Sequence, residues 1–242
     1  MELETRQHGV KWRSRVRLVD EVADVLRERI YEGHYALGTP LRQEQLAAEL
    51  DVSRTPLREA LRMLEQEGLV TVLPGRGVRV IPADRWRLLD AYRLREVVDG
   101  LAARLAADHV DRTLSGRFDE ILARQLDAVT DWDAAGYTAA NVEFHTEVVR
   151  AARNGYVEAQ LPLIRMTSQV FTPMKLVDRQ RAEQAVQEHR AIVGAISAGE
   201  AGRAEELARL HIQHTIASLS AQAFDEEPPD DSDASEREEP SE

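Results

Sequence analysis

The chain contains no cysteine, which excludes disulfides, thiolate metal ligands and cysteine nucleophiles. Aromatic residues make up only 5% of its 242 residues, so any core must be built from Leu, Val, Ile and Ala. No apolar run reaches the ~18 residues that cross a bilayer, and no secretory signal pattern opens the chain. The expectation is a cytoplasmic protein that is neither membrane-spanning nor secreted. A cationic excess is missing as well: the net charge is −12. That balance looks wrong for a nucleic-acid binder until it is divided along the chain. Residues 225–242 hold ten acidic residues and one Arg in a Pro- and Ser-rich context, which predicts a disordered, solvated tail. Residues 6–82 are slightly positive. Lys11, Arg13, Arg15 and Arg17 form a basic leader able to add phosphate contacts.

What is present is concentrated between residues 41 and 81. Leu46, Ala47 and Leu50 have the spacing of a short helix over 43–50, and Asp51-Val52 predicts a turn. Ser53 is a candidate N-cap for a second helix, with Pro56 in its first turn, where a missing N–H is harmless. Leu57, Ala60, Leu61 and Leu64 form that helix's apolar stripe, and Gly68 ends it. Two short β-branched runs, 69–73 and 78–81, flank Pro74-Gly75-Arg76-Gly77 and read as a hairpin. Helix, turn, helix and hairpin outline a winged helix-turn-helix. Arg54, Arg58 and Arg62 recur every four residues on a separate face of the second helix. A helix of this kind presents its N-terminal residues to base edges in the major groove, and Arg pairs with guanine through two hydrogen bonds. Thr55 joins these arginines as a candidate contact, with Gly75 and Arg76 at the wing tip. The alternative is a merely solvated arginine face.

The helix over 16–32, Gly33-His34-Tyr35, Gly38, LAAEL, SRTPLREAL and the glycine-rich wing together resemble a GntR-family transcription regulator across residues 14–82. The resemblance implies that Arg54 and Arg58 contact bases or phosphates and that Gly75 is the wing glycine. It also implies a homodimer reading a palindromic operator. One position departs from the family pattern. Many relatives place an Arg just before LA, where this chain has Glu44 followed by Gln45, so its operator is expected to differ.

Pro82-Ala83-Asp84 reads as a linker into a second, all-helical domain, an antiparallel bundle spanning 83–224. The domain plan is thus a leader over 1–13, a winged module over 14–82, the bundle, and the acidic tail over 225–242. Six helices are predicted, over 84–108, 112–129, 133–152, 155–173, 178–198 and 201–223. Asp111 and Asp178 are N-cap candidates; Asn154-Gly155 and Gly199 mark breaks.

Three predicted helices carry a histidine among apolar neighbours: His145, with Asn141 four residues before it, then His189 and His211. Three imidazoles and an oxygen suit Zn²⁺ or another divalent metal, but spacing alone favours separate core or surface histidines. The segments NVEFH, AARN, EHRAIVGAI and ARLHI, with residues 89–107, resemble the FCD ligand-binding domain of the FadR branch, and six helices point to its VanR-like subset. That resemblance implies Asn141, His145, His189 and His211 as ligands to a divalent metal, zinc first with nickel or manganese as alternatives. His214 is the rival ligand; His8, His34 and His109 read as tail, turn and helix-end residues. It further implies that Arg95, sharing a face with Tyr92, reaches an effector cavity. A guanidinium there suits a small carboxylate effector; the alternative is a salt bridge to Asp99 or Glu96. The expected function is an effector-controlled transcription regulator, most simply a repressor, with no catalytic residues. Two other classes are weighed against it. A metal-dependent hydrolase would need a general base near the metal, and no HExxH-type motif occurs. An architectural DNA protein would have no use for a polar-lined bundle.

Overall fold

A computed structural model of the chain describes residues 10–73, 77–82, 84–110, 112–171 and 178–221. Gly75, Arg76, Asp111, the first nine residues and the acidic tail lie outside the described residues.

The first helix, α1 (Val10–Tyr31), starts six residues earlier than its apolar pattern suggests and buries Val22, Ala23, Leu26 and Ile30 along one stripe. The left-handed Gly33 turns the chain away from its end. A two-residue strand, β1 (Pro40–Leu41), leads into α2 (Gln43–Glu49) and α3 (Arg54–Gln66). Between these helices Asp51 takes the left-handed conformation that its short polar side chain tolerates. Ser53 sits at the N-cap of α3 with extended backbone, but its hydroxyl makes no capping bond, so the expected cap is positional only. Gly68, also left-handed, follows the end of α3 as expected.

The hairpin consists of β2 (Val70–Leu73) and β3 (Gly77–Val80), with Val70 opposite Val80 and Leu73 opposite Gly77. The sheet has a third strand that the sequence did not announce. Its order is β1-β3-β2, with Pro40 opposite Arg79. Gly77 is required at this junction, because a Cβ there would lie 2.7 Å from the Leu41 carbonyl oxygen.

Beyond residue 83 the chain is helical: α4 (Arg85–Ala107), α5 (Arg112–Thr130), α6 (Ala134–Ala151), α7 (Gly155–Glu158), α8 (Leu161–Arg165), α9 (Arg179–Ser197) and α10 (Ala201–Ala221). Asp84, Asp133, Asn154 and Asp178 cap their helices by accepting backbone N–H bonds. Five of the six predicted helices form close to their expected bounds. The fourth, over 155–173, does not form as one piece. Pro162 lacks the N–H that would continue α7 and clashes with the preceding turn, so the helix ends and restarts as α8 with proline in its first turn. A π-helical stretch, Met166–Phe171, follows directly. No described helix is long and apolar enough to cross a membrane.

The bundle core packs Phe118, Phe144, Ile164, Ile192 and Ile196 against Ala102, Ala103 and Ala106 of α4. A second buried cluster crosses from one region to the other. Leu26, Leu57, Leu61, Leu64, Leu69 and Val80 of the winged module share it with Leu88, Leu89, Tyr92, Met166 and Ile212 of the bundle. Polar contacts reinforce this junction. Arg165 grips the Glu28 carboxylate with both terminal nitrogens, at 2.6 and 2.8 Å, and its guanidinium lies 4.2 Å from the centre of the Tyr31 ring. Arg27 ties α1 to the end of α3 through Glu67, at 2.7 and 2.8 Å.

Leu64 is fully buried at the centre of the winged module. Leu64→Ala is expected to cost about 2–5 kcal/mol in denaturant unfolding of the full chain, and a loss well below ~1 kcal/mol would contradict this packing.

Candidate functional site

Two surfaces carry the chemistry. On α3, Arg54, Thr55, Arg58 and Arg62 are all exposed, on the side opposite buried Leu57, Leu61 and Leu64. Arg54 donates to Glu44 at 2.6 Å and Arg62 to Glu59 at 2.9 Å. Both pairs are solvent-exposed and worth at most about 1 kcal/mol. Phosphate or base oxygens can therefore displace them. Arg58 has no ion pair among the described residues.

The second surface is internal. His145 on α6, His189 on α9 and His211 on α10 are buried together, with one ring nitrogen from each within 4.8 Å of the others. Their outer nitrogens are committed. His189 Nδ1 lies 2.8 Å from Gln125 Oε1, while Gln125 Nε2 donates to the Ala140 carbonyl and so fixes the amide orientation. His211 Nδ1 lies 2.6 Å from Glu188 Oε2, and His145 Nδ1 lies 3.5 Å from Asp99 Oδ1. The partner oxygens of His189 and His211 are acceptors, so in those two rings Nδ1 carries the proton and Nε2 keeps its lone pair, whereas Asp99 Oδ1 faces His145 without a hydrogen bond. The Nε2 atoms of His189 and His211 consequently face each other at 3.3 Å with no proton between them. Two lone pairs at that distance repel unless a cation sits between them. Tetrahedral zinc with Zn–N bonds of 2.0–2.1 Å separates its nitrogen ligands by about 3.3 Å. The donor set therefore fits a divalent metal. His214, the rival, is half-exposed and bonds Glu188 through Nδ1 at 2.7 Å; it is not in the cluster. Asn141 lines the adjoining cavity one helical turn before His145.

Burial sets the protonation states. It pushes His145 down to about 4, with the Arg95 charge adding to the effect and Asp99 opposing it. Burial also lowers His189 well below the ordinary imidazole value and lowers His211 against the pull of Glu188. Burial alone would raise Asp99, but the charges of Arg95 and His145 outweigh it and hold the carboxyl at about 2. Glu188 is likewise held at about 2: hydrogen bonds from His211, Arg181 and His214 overcome its burial.

The adjoining cavity, about 70 Å³, is lined by Tyr92, Arg95, Tyr137, Asn141, His145, Ser168, Arg181 and His211, among others. Arg95 is almost fully buried. Its Nε donates to Asp99 Oδ2 at 3.0 Å, and its Nη1 to Thr167 Oγ1 and Ser168 Oγ, both at 3.0 Å. The salt bridge to Asp99 weighed as an alternative is thus present, yet it leaves Nη2 buried with no partner among the described residues. Tyr92 lies beneath the guanidinium, its ring centre 5.3 Å away.

Several groups escaped the reading of the sequence: Gln125, Glu188, Arg181, Thr167 and Ser168. Glu188 directly precedes His189, the one signal that was available for it. The others come from elements whose proximity no local pattern reveals.

An exposed arginine helix with a wing, joined to a bundle with a polar cavity at its centre, defines a class: transcription regulators that bind DNA. Residues 18–80 match the family described as bacterial regulatory proteins, gntR family, and residues 90–214 match the FCD domain. The chain is 30% identical over 202 residues to the probable D-xylose utilization operon transcriptional repressor of Paenarthrobacter nicotinovorans, covering 82% of this chain and 87% of that protein. It is 24% identical over 210 residues to the galactonate operon transcriptional repressor of Escherichia coli K12, covering 78% and 91%. Its fold is also that of E. coli McbR/YncC, with a TM-score of 0.70 at 20% identity over 84% of this chain and 97% of that one. The chain belongs to the GntR family and carries an FCD domain; its relatives are regulators, not enzymes.

In the metal-free protein the folded state holds His145 neutral down to about pH 4, while the unfolded chain protonates it near 6.5. The unfolded state therefore binds more protons between those values, and stability is lost as pH falls through that window. The full span corresponds to a loss on the order of 3 kcal/mol. Thermal unfolding of chelator-treated protein is expected to show a falling midpoint from about pH 7 to about pH 5. A flat midpoint would contradict the buried neutral imidazoles.

Proposed function

We propose that this chain is a homodimeric repressor whose grip on a palindromic operator is set by a small organic acid, bound with a divalent metal inside the bundle. The observation that carries this reading is the double role of Arg95. One edge of its guanidinium holds the π-helical stretch through Thr167 and Ser168, and Nη2 is left buried without a partner in a residue that lines the cavity. The residues just before Thr167 dock the winged module: Arg165 on Glu28 and Tyr31, and Met166 against Gly68. An anion drawn to Nη2 pulls on the guanidinium that those hydroxyls hold at Nη1. It thereby shifts the segment on which α1, and through Arg27 and Glu67 the end of α3, is seated.

By linkage, an acid releases DNA only to the extent that it binds the DNA-free arrangement more tightly. Among the relatives, one takes its name from a sugar and another from a sugar acid, which agrees with an oxygen-rich anionic ligand. His145, His189 and His211, with the Asn141 amide oxygen, would hold the metal. Zinc, when bound, would supply a Lewis-acid centre for a carboxylate or hydroxyl oxygen. Gln125 and Glu188 orient His189 and His211 and fix their tautomers, and the Asp99 carboxylate faces His145.

On the DNA side, Arg54, Thr55 and Arg58 lie in the first turns of α3, which such helices turn toward base edges. Arg62 lies about 12 Å beyond Arg54 along the axis, suited to a phosphate. Gly75 and Arg76 are carried over as wing contacts. Two copies would meet through the exposed stripe Leu94, Val97 and Leu101 of α4, with Leu210 on neighbouring α10. A regulator of bacterial genes works in the cytoplasm, at the nucleoid.

Arg58→Ala is expected to weaken binding to a selected operator by about 1–3 kcal/mol, with specificity relaxed at one base position. Fluorescence anisotropy decides; unchanged affinity refutes the role of Arg58. Replacing His145 and His189 together by Ala is expected to abolish metal in the purified protein. Stoichiometric metal retained in elemental analysis would refute the site.

A further inference from the structure

Besides Arg95, the cavity carries a second unsatisfied cation. Arg181 stands in the first turn of α9, its side chain largely buried. Its Nη2 donates to Glu188 at 2.9 Å, to the His211 carbonyl at 3.3 Å and to Thr215 Oγ1 at 3.0 Å. Its Nη1 is buried and has no partner among the described residues. Arg95 comes to the same cavity from α4 in the same condition, pinned at Nε and Nη1 and unpartnered at Nη2. A buried donor left without an acceptor costs on the order of 1–3 kcal/mol, and more when it is charged. Neither guanidinium can swing out to water without breaking the bonds that hold its other nitrogens. Two residues that line the cavity therefore each carry an anchored, buried donor that requires an acceptor.

Charge narrows the ligand further. Asp99 and Glu188 offset the two guanidiniums, and Asn141 contributes no charge. A divalent cation on the three neutral imidazoles leaves the site with an excess of two positive charges. A monoanion would neutralise only half of that excess and satisfy only one of the two arginines.

We propose that the ligand of this cavity is a small dicarboxylate, with one carboxylate taken by Arg95 Nη2 and the other by Arg181 Nη1. This rests on the reading that an organic acid occupies the cavity, and specifies its class.

The test compares acids of equal carbon number on the zinc-loaded full chain by isothermal titration calorimetry: malate against 2-hydroxybutyrate, and galactarate against galactonate. In at least one pair the diacid is expected to bind about 10- to 100-fold more tightly than its monoacid partner. Arg181→Gln should erase that preference, and Arg181→Lys should restore part of it. Zinc content measured on each variant reports whether the histidine cluster survives. Should Arg181→Gln lose zinc or fail to fold, the comparison on the wild-type chain decides by itself. Monoacids binding as tightly as diacids would overturn the dicarboxylate while leaving the organic-acid reading intact. A diacid preference that persists in a zinc-replete Arg181→Gln protein would overturn the assignment to Arg181. Absence of binding by all four acids would remove the organic-acid reading itself, and this inference with it.

Discussion

Three imidazoles, a guanidinium and a carboxylate are buried together at the centre of one helical bundle, and the rest of the molecule is organised around making that tolerable. A buried polar group is costly unless it is hydrogen-bonded, and a buried charge more so. Each of these groups has a partner supplied by a different helix: Gln125 from α5, Asp99 from α4, Glu188 from α9, and Thr167 and Ser168 from the π-helical stretch. Most of the buried groups left without a hydrogen bond lie in the same region. Arg95 and Arg181, each with one unpartnered nitrogen, and His211, whose Nε2 faces that of His189, all line one small cavity. Deficits gathered at one point and matched in chemistry, lone pairs for a cation and N–H groups for an anion, are the mark of a binding site rather than of loose packing.

The broken fourth helix links this centre to the DNA-reading surface. Had residues 155–173 formed one regular helix, Thr167, Ser168 and Arg165 would have occupied a continuous ladder with little freedom to respond. Pro162 interrupts that ladder, and the π-helical turns after it place two hydroxyls on Arg95. π-Helical insertions of this kind recur at functional sites because they redirect side chains that a regular helix would misplace. The shared apolar cluster, from Leu57 and Leu64 through Met166 to Tyr92, makes the junction a packed contact rather than a flexible tether. A shift at Met166 therefore has to be accommodated by the winged module.

Much of this architecture was legible in the sequence because it is local. The stripe Leu57, Leu61 and Leu64, the glycine after it and the arginines every four residues require only helical geometry to interpret. The four candidate metal positions were legible only through resemblance to a family; their spacing alone favoured separate core or surface histidines. The strand β1 escaped because two residues give no periodicity. The break in the fourth helix was written in Pro162, yet the apolar pattern on either side hid it. Gln125, Arg181 and the paired hydroxyls were not legible at all. Each matters through what it touches across the bundle, and an α5 glutamine facing an α9 histidine leaves no trace in either segment. Glu44 shows the same limit in reverse: its departure from the family pattern was visible, but its ion pair with Arg54 was not.

Everything converges on one coupling, between a ligand held at Arg95 and the seat of the recognition helix. The measurement that tests it most directly is operator affinity, read by fluorescence anisotropy on the zinc-loaded full chain at increasing concentrations of an acid already seen to bind. If ligand and operator are coupled, Kd for the duplex rises by about tenfold or more and then levels off once the cavity is saturated. A Kd that stays constant while the acid demonstrably fills the cavity would contradict the coupling.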